Sequence, residues 1–151
     1  MRKIIITVTI IIGSIIALVA LLVAYAIISE GRHLTHPDED LLRRPVEEIR
    51  EYLLELTPVG THVTEVVAVI EGRETWRFWG VNERFGFAMR NGRPSEPNPN
   101  DIAAGNVIGT QSIRVELGSY WGSMFSIYIT HVTVFWGFDE NSQLIDIQVR
   151  K

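Results

Sequence analysis

The chain of 151 residues contains no cysteine. That excludes a disulfide framework and thiolate metal sites, and it leaves no thiol for acylation or for nucleophilic catalysis. Other chemistry is missing too. There is no GxSxG, HExxH or Walker loop, and the 12 glycines are too scattered to cradle a phosphate. Positive charge is scarce beyond the N-terminus: setting aside Arg2 and Lys3 leaves 12 basic against 18 acidic residues. Nucleic-acid binding needs clustered Lys and Arg to neutralise phosphates, so no nucleic-acid partner is expected. No residue set asks for a cofactor or a metal either.

What the chain does have is one long apolar run. Ile4 to Ile28 holds 25 residues and no charge. In helical rise that is about 37 Å, enough to cross a hydrocarbon core of about 30 Å with some tilt. Thr7, Thr9 and Ser14 are its polar exceptions, and their hydroxyls can bond back to carbonyls one turn earlier. Arg2 and Lys3 precede the run, which places the N-terminus in the cytoplasm and residues 29–151 outside. Tyr25 suits the outer interface. A cleaved signal peptide is the competing reading, with cleavage after Ala26 in Ala24-Tyr25-Ala26. Its apolar region would usually span only about 7–15 residues, so length favours an uncleaved anchor. Association through Gly13 and Ala17 as a small-xxx-small pair is a weaker idea, because the pattern does not extend.

The expected organisation is therefore a transmembrane anchor over 1–28, a polar juxtamembrane linker over 29–44 and an extracytoplasmic domain over 45–151. His33 and His36 lie in the linker beside Asp38, Glu39 and Asp40; a flexible segment offers no fixed ligand geometry, so solvation explains them. Pro45 to Leu56 reads as a helix, with Pro45 at the first position and Val46, Ile49, Tyr52 and Leu56 along one stripe. Pro58 and Gly60 end it. His62 to Glu71 reads as a second helix, with Thr61 as N-cap, Gly72 beyond its end, and Val63, Val66, Val67 and Ile70 at i, i+3, i+4 and i+7.

Strands follow. Thr75 to Trp79 and Arg84 to Met89 are two, and Asn91-Gly92 is a turn. Residues 91–106 read as one long irregular loop of the kind that is functional or disordered. Ser112 to Leu117 alternates cleanly, Tyr120 to Ser123 reads as a connection, and Phe125 to Phe138 is a long β-rich run. Asp139 to Ser142 is a hairpin turn. Leu144 to Val149 returns, with Ile145, Ile147 and Val149 on one face, and Gly137 suggests a bulge. Helices ahead of consecutive strands predict an α+β domain: two short helices on an antiparallel sheet of four to five strands.

Two stretches carry a resemblance. Leu56-Thr57-Pro58-Val59-Gly60-Thr61, followed by Glu65-Val66, and the closing segment 132–149 with Phe138, Asp139 and Leu144, resemble the small outer-membrane proteins of the SmpA/OmlA, or BamE-like, family. The resemblance covers roughly residues 45–149 in order of elements. It implies a non-enzymatic domain that binds protein partners. The chain departs from that family in having a membrane run where the family has a lipidated cysteine.

Candidate binding residues come from the aromatics. Trp76 and Phe78 share one strand face, while Arg77 and Trp79 share the other. A small sheet covered by helices on one side buries only one set. Some of Trp79, Tyr120, Trp121, Tyr128 and Trp136 are then expected on an open face, where exposed Trp and Tyr mark binding surfaces. Trp79, Tyr128, Trp136 and Trp121 are the candidate contact residues, joined by the loop from Asn98 to Asn106. The leading expectation is a single-pass cell-membrane protein whose exported domain binds an envelope protein. An inhibitor or immunity-type protein belongs to the same class. An envelope hydrolase is the alternative from another class, with His131 as base beside Asp139 or Asp146; a hydrogen-bonded strand histidine is the plainer explanation.

Overall fold

The computed structural model describes residues 18–22, 39–122 and 128–151, and it divides the chain into two compact units, residues 1–35 and 36–151. In the first unit residues 18–22 are helical, with Leu18, Val19, Leu21 and Leu22 exposed. Among the described residues no helix is long and apolar enough to cross a membrane. The expected span Ile4–Ile28 lies outside them apart from those five positions.

The second unit is α+β, as its order of elements predicts. Helices α1 (Glu39–Arg43), α2 (Val46–Leu56) and α3 (Val63–Glu71) come first. They are followed by strands β1 (Arg77–Asn82), β2 (Phe87–Arg90) and β3 (Arg93–Ser95), helix α4 (Pro99–Ala103), and strands β4 (Val107–Ile108), β5 (Gln111–Trp121), β6 (Ile129–Phe138) and β7 (Leu144–Arg150). Strands β1, β5, β6 and β7 form an antiparallel sheet in that order. A second antiparallel sheet has the order β3-β2-β4.

Register explains the core. Ile113 pairs with Trp136, Val115 with Val134, and on the other side Val134 pairs with Val149 and Trp136 with Ile147. Side chains alternate, so this row shares one face of the sheet. Leu42 of α1, Ile49 and Leu53 of α2, and Val66 and Ile70 of α3 close over it in one buried cluster. Burying a side chain of this size contributes about 1.5–3 kcal/mol, which suits a small domain with no cross-links. Arg50 ties α2 to β7 by donating from Nη2 to Asp146 Oδ1 at 2.8 Å and from Nε to the Ile147 carbonyl at 2.7 Å.

Several expectations are corrected. Residues 39–43, within the expected linker 29–44, form a full helix, α1, where the sequence suggests only a turn beginning at Leu41 and Leu42, and Leu42 is fully buried in the core. His62, not Thr61, caps α3, with its ring Nδ1 accepting from Thr64 N–H at 3.4 Å. Tyr120 and Trp121 belong to β5 instead of a connection. Gly137 does lie at an irregularity, but the extra residue is on the facing strand. Gly137 pairs with Asp146 and Phe138 with Leu144, so Ile145 bulges out and is exposed while Leu144 goes inside.

The largest correction concerns residues 91–106. They are ordered as the turn after β2, then β3 and α4, and the small sheet lies on the outer face of the large one. Phe87 packs on Phe135 with ring centroids 6.0 Å apart. Gly137 permits this approach, since a Cβ there would fall 2.8 Å from Phe87 Cε1, and Gly86 lets β4 close on β2, since a Cβ there would fall 1.8 Å from the Ile108 carbonyl oxygen. The sheet face expected to be open is therefore covered over much of its length, and the unit has three layers.

Candidate functional site

The small sheet does not cover the outer face completely, and the gap beside β1 forms a cleft of about 510 Å³. Its shape begins with a bulge. Phe78 pairs with Val115 and Val81 with Ile113, so Trp79 and Gly80 together stand opposite Arg114. Gly80 has φ +97°, a backbone conformation natural to glycine, and the extra residue turns the strand. Trp79 faces outward by ordinary alternation after the inward Phe78, with 50% of its surface exposed, and the bulge after it returns Val81 to the core side opposite Ile113.

Two guanidiniums lie against the Trp79 ring. The Arg114 guanidinium lies 4.7 Å from its ring centroid and that of Arg77 lies 5.7 Å away. Cations over an indole face are attracted by about 0.5–1 kcal/mol at exposed sites, so the ring is positioned without being buried. Arg114 also donates from Nη1 to Glu96 Oε1 at 2.6 Å, linking the large sheet to the segment after β3. Its Nε is buried and has no hydrogen-bond acceptor among the described residues, leaving ring stacking as its compensation. Phe87 and Phe135 line the cleft with apolar surface, and Ser112 and Asn82 add polar groups. Ser112 Oγ donates to the Phe85 carbonyl at 3.0 Å, and Asn82 Oδ1 accepts from Arg84 N–H at 3.0 Å, so both hold the β1–β2 connection. A cleft of mixed lining, with Asn82, Glu96, Ser112 and Arg114 among its walls and an aromatic lip, offers both polar and apolar contacts to a ligand.

The loop proposed for contact, Asn98 to Asn106, is rigid in its first half. Asn98 Oδ1 accepts from Asp101 N–H at 2.9 Å and Asp101 Oδ2 accepts from Asn98 N–H at 2.8 Å, a reciprocal cap on α4. Arg90 adds a bond from Nε to Asp101 Oδ2 at 3.0 Å and another from Nη2 to the Glu96 carbonyl at 3.2 Å. The Arg90 hydrogen bonds, and then the Asn98 N–H, hold the Asp101 carboxyl below its ordinary pKa, while Asp101 raises that of Arg90.

The four sequence-predicted residues do not form one surface. Trp79 stands at the cleft. Trp121, 41% exposed, and Tyr128, 75% exposed, lie at the far end of the β5–β6 hairpin. Trp136 is fully buried, and the expectation that it lies on the open face is overturned. It shares the face of Ile113 and Ile147, which the helices cover, and its Nε1 donates to Thr57 Oγ1 at 3.1 Å. Arg114, Phe87 and Phe135 do not emerge from the sequence; the pairing of Phe78 with Val115, a long-range register, is what brings Arg114 beside Trp79.

His131 meets Glu116, not Asp139 or Asp146. Its Nδ1 lies 2.8 Å from Glu116 Oε1, with 63% of the imidazole side chain exposed. Asp139 is occupied in the β6–β7 turn, accepting from Asn141 and Gln143 N–H at 2.8 and 2.9 Å. Asp146 is engaged by Arg50. Among the described residues no group of three or more His, Asp or Glu could hold a metal ion. No protein-family model, curated protein or solved structure matches this chain.

Proposed function

We propose that this chain is a single-pass membrane protein whose exported α+β unit captures a protein partner in the cleft beside Trp79, without catalysis. The carrying observation is the half-exposed Trp79, with two guanidiniums against its ring, at the lip of a cleft. Tryptophan and arginine are the side chains that most often dominate binding energy at protein interfaces. The uncharged run of Ile4–Ile28 supports the anchor, and Arg2 and Lys3 support an exported domain.

The BamE-like reading belongs to the same proposal. The two stretches that carry it are adjacent in space: Gly60 N–H donates to the Leu144 carbonyl at 2.8 Å and Leu144 N–H to the Thr61 carbonyl at 2.9 Å. The second sheet, packed outside the large one, is an addition to that plan and builds one wall of the cleft. Inhibitor-type and assembly-type partners are both compatible with such a site.

The test is crosslinking of the tagged full chain in bacterial membranes, with partners identified by mass spectrometry. A reproducible envelope protein is expected from the parent and is expected to be lost with Trp79→Ala. Equal capture by parent and variant would remove the cleft from the proposal.

A further inference from the structure

The large sheet is not four strands wide along its whole length. Strand β1 stops at Arg77, opposite Glu116, and β7 stops at Arg150, opposite Thr133. Beyond those points β5 and β6 continue alone, pairing from Gly118 with Val132 to Trp121 with Ile129. The result is a two-stranded ribbon that extends past the body of the sheet. Such a ribbon is marginal in water unless something covers it.

One of its faces is covered. Tyr120 packs against the core, with Arg43 of α1 at 5.1 Å and the Lys151 ammonium at 5.5 Å from its ring centroid. The other face carries Trp121 and Ile129, which are 41% and 45% exposed, and Tyr128 follows at 75%. No Asp, Glu, Lys or Arg occurs between Glu116 and Asp139 in the sequence. An uncharged ribbon end bearing Trp, Tyr and Ile has the composition that settles at the headgroup level of a bilayer.

The attachment point favours this occupant over a protein. Between Ile28 and α1 lie ten residues, 29–38, which span at most about 35 Å when fully extended. They lead into α1 at Glu39, and α1 packs on β5 at the ribbon, where Arg43 meets Tyr120. A chain anchored through Ile4–Ile28 thus tethers its domain by the ribbon end. We infer that Trp121, Tyr128 and Ile129 form a second membrane contact, seated in the interface of a zwitterionic bilayer. The inference rests on the anchor reading. Interfacial depth, as opposed to the hydrocarbon, suits the ribbon because its outer backbone edges and the His131–Glu116 pair are polar. Of the proposed contact residues, this leaves Trp79 free for the partner.

The absence of cysteine allows a direct test. Single variants Trp121→Cys, Tyr128→Cys, Glu140→Cys and Leu22→Cys of the full chain are labelled with an environment-sensitive dye. Each is reconstituted into phosphatidylcholine vesicles with or without doxyl-labelled lipid, and each is required to keep the parent's thermal transition. Blue-shifted emission and loss of intensity to the lipid quencher are expected at 121 and 128. No such change is expected at 140, in the turn at the other end of β6. Leu22→Cys reports on the anchor alone. Quenching at 22 with none at 121 and 128 would overturn the membrane contact and leave the anchor standing. No quenching at 22 would overturn the anchor, and the tethering argument with it. Protection of 121 and 128 from aqueous iodide without lipid quenching would mean that a second copy of the chain covers the ribbon, which also overturns the inference.

Discussion

Trp79 and Trp136 have the same side chain and opposite assignments, and substitution separates them. Trp136 is fully buried, packs against Trp76 with centroids 6.4 Å apart, and bonds to Thr57 Oγ1. Trp136→Ala is expected to cost about 3–5 kcal/mol in urea unfolding, the range for removing a large core aromatic. Thr57 in turn donates to the Leu53 carbonyl at 2.8 Å, so it joins helix end to sheet. Thr57→Val leaves the indole N–H buried without an acceptor and is expected to cost about 1–3 kcal/mol. Trp79→Ala loses only stacking on exposed arginines and is expected to stay within about 1 kcal/mol of the parent. A large loss at Trp79 would place it in the core and remove the basis of the binding site. Gly86→Ala puts a methyl group into the Ile108 backbone and is expected to dislodge the small sheet, read as loss of the Phe87–Phe135 contact by NMR.

At the level of elements, the strongest local test is the loop now seen as β3 and α4. Asp101 holds its proton less tightly in the folded protein than in the unfolded chain, because its charged form accepts from Arg90 and Asn98. The unfolded chain therefore binds the proton first as pH falls. The contribution of Asp101 to stability is complete above the ordinary carboxylate pKa of about 3.9 and is lost as pH drops through the lower folded value. Protection of the amides in residues 98–104, measured against the intrinsic exchange rate at each pH, is expected to fall below about pH 4, and Asp101→Asn is expected to abolish that pH dependence. An unchanged pH profile in the variant would remove Asp101 from the role. This region also shows where sequence reading ends. Helices α2 and α3 and strand β7 are legible because each runs long enough for its period to show. Strand β3 has three residues including Pro94, and β4 has two, so neither displays alternation. The legible cue was Asn98 three residues before Asp101, with proline following the cap, which marks a helix start. The bulges at Gly80 and Ile145 leave only a glycine as a hint, yet the first turns Val81 inward and the second turns Ile145 out.

For the whole molecule, location decides what the cleft can meet, and charge decides location. Residues 39–74, mostly the helical layer, carry nine acidic and four basic groups, whereas residues 75–151 carry seven of each. Anionic headgroups repel the helical side, so the ribbon end and not the helices suits an approach to the membrane. Orientation across the membrane rests on less. On the N-terminal side of the apolar run stand Arg2 and Lys3 alone, and just beyond it come Glu30 and Arg32, which cancel. Positive charge near a span holds that end in the cytoplasm, while acidic residues contribute little. Replacing both residues, Arg2→Glu with Lys3→Glu, removes the bias and leaves Arg32 as the nearest cation. The expected result is a fall in the fraction of C-terminal tag that protease digests in intact spheroplasts, with the chain still resisting alkaline extraction. An unchanged digestible fraction would mean that something other than these two charges sets the topology. Loss of resistance to alkali in the parent would mean that the apolar run is not an anchor, and the cleft would then have to find its partner in solution.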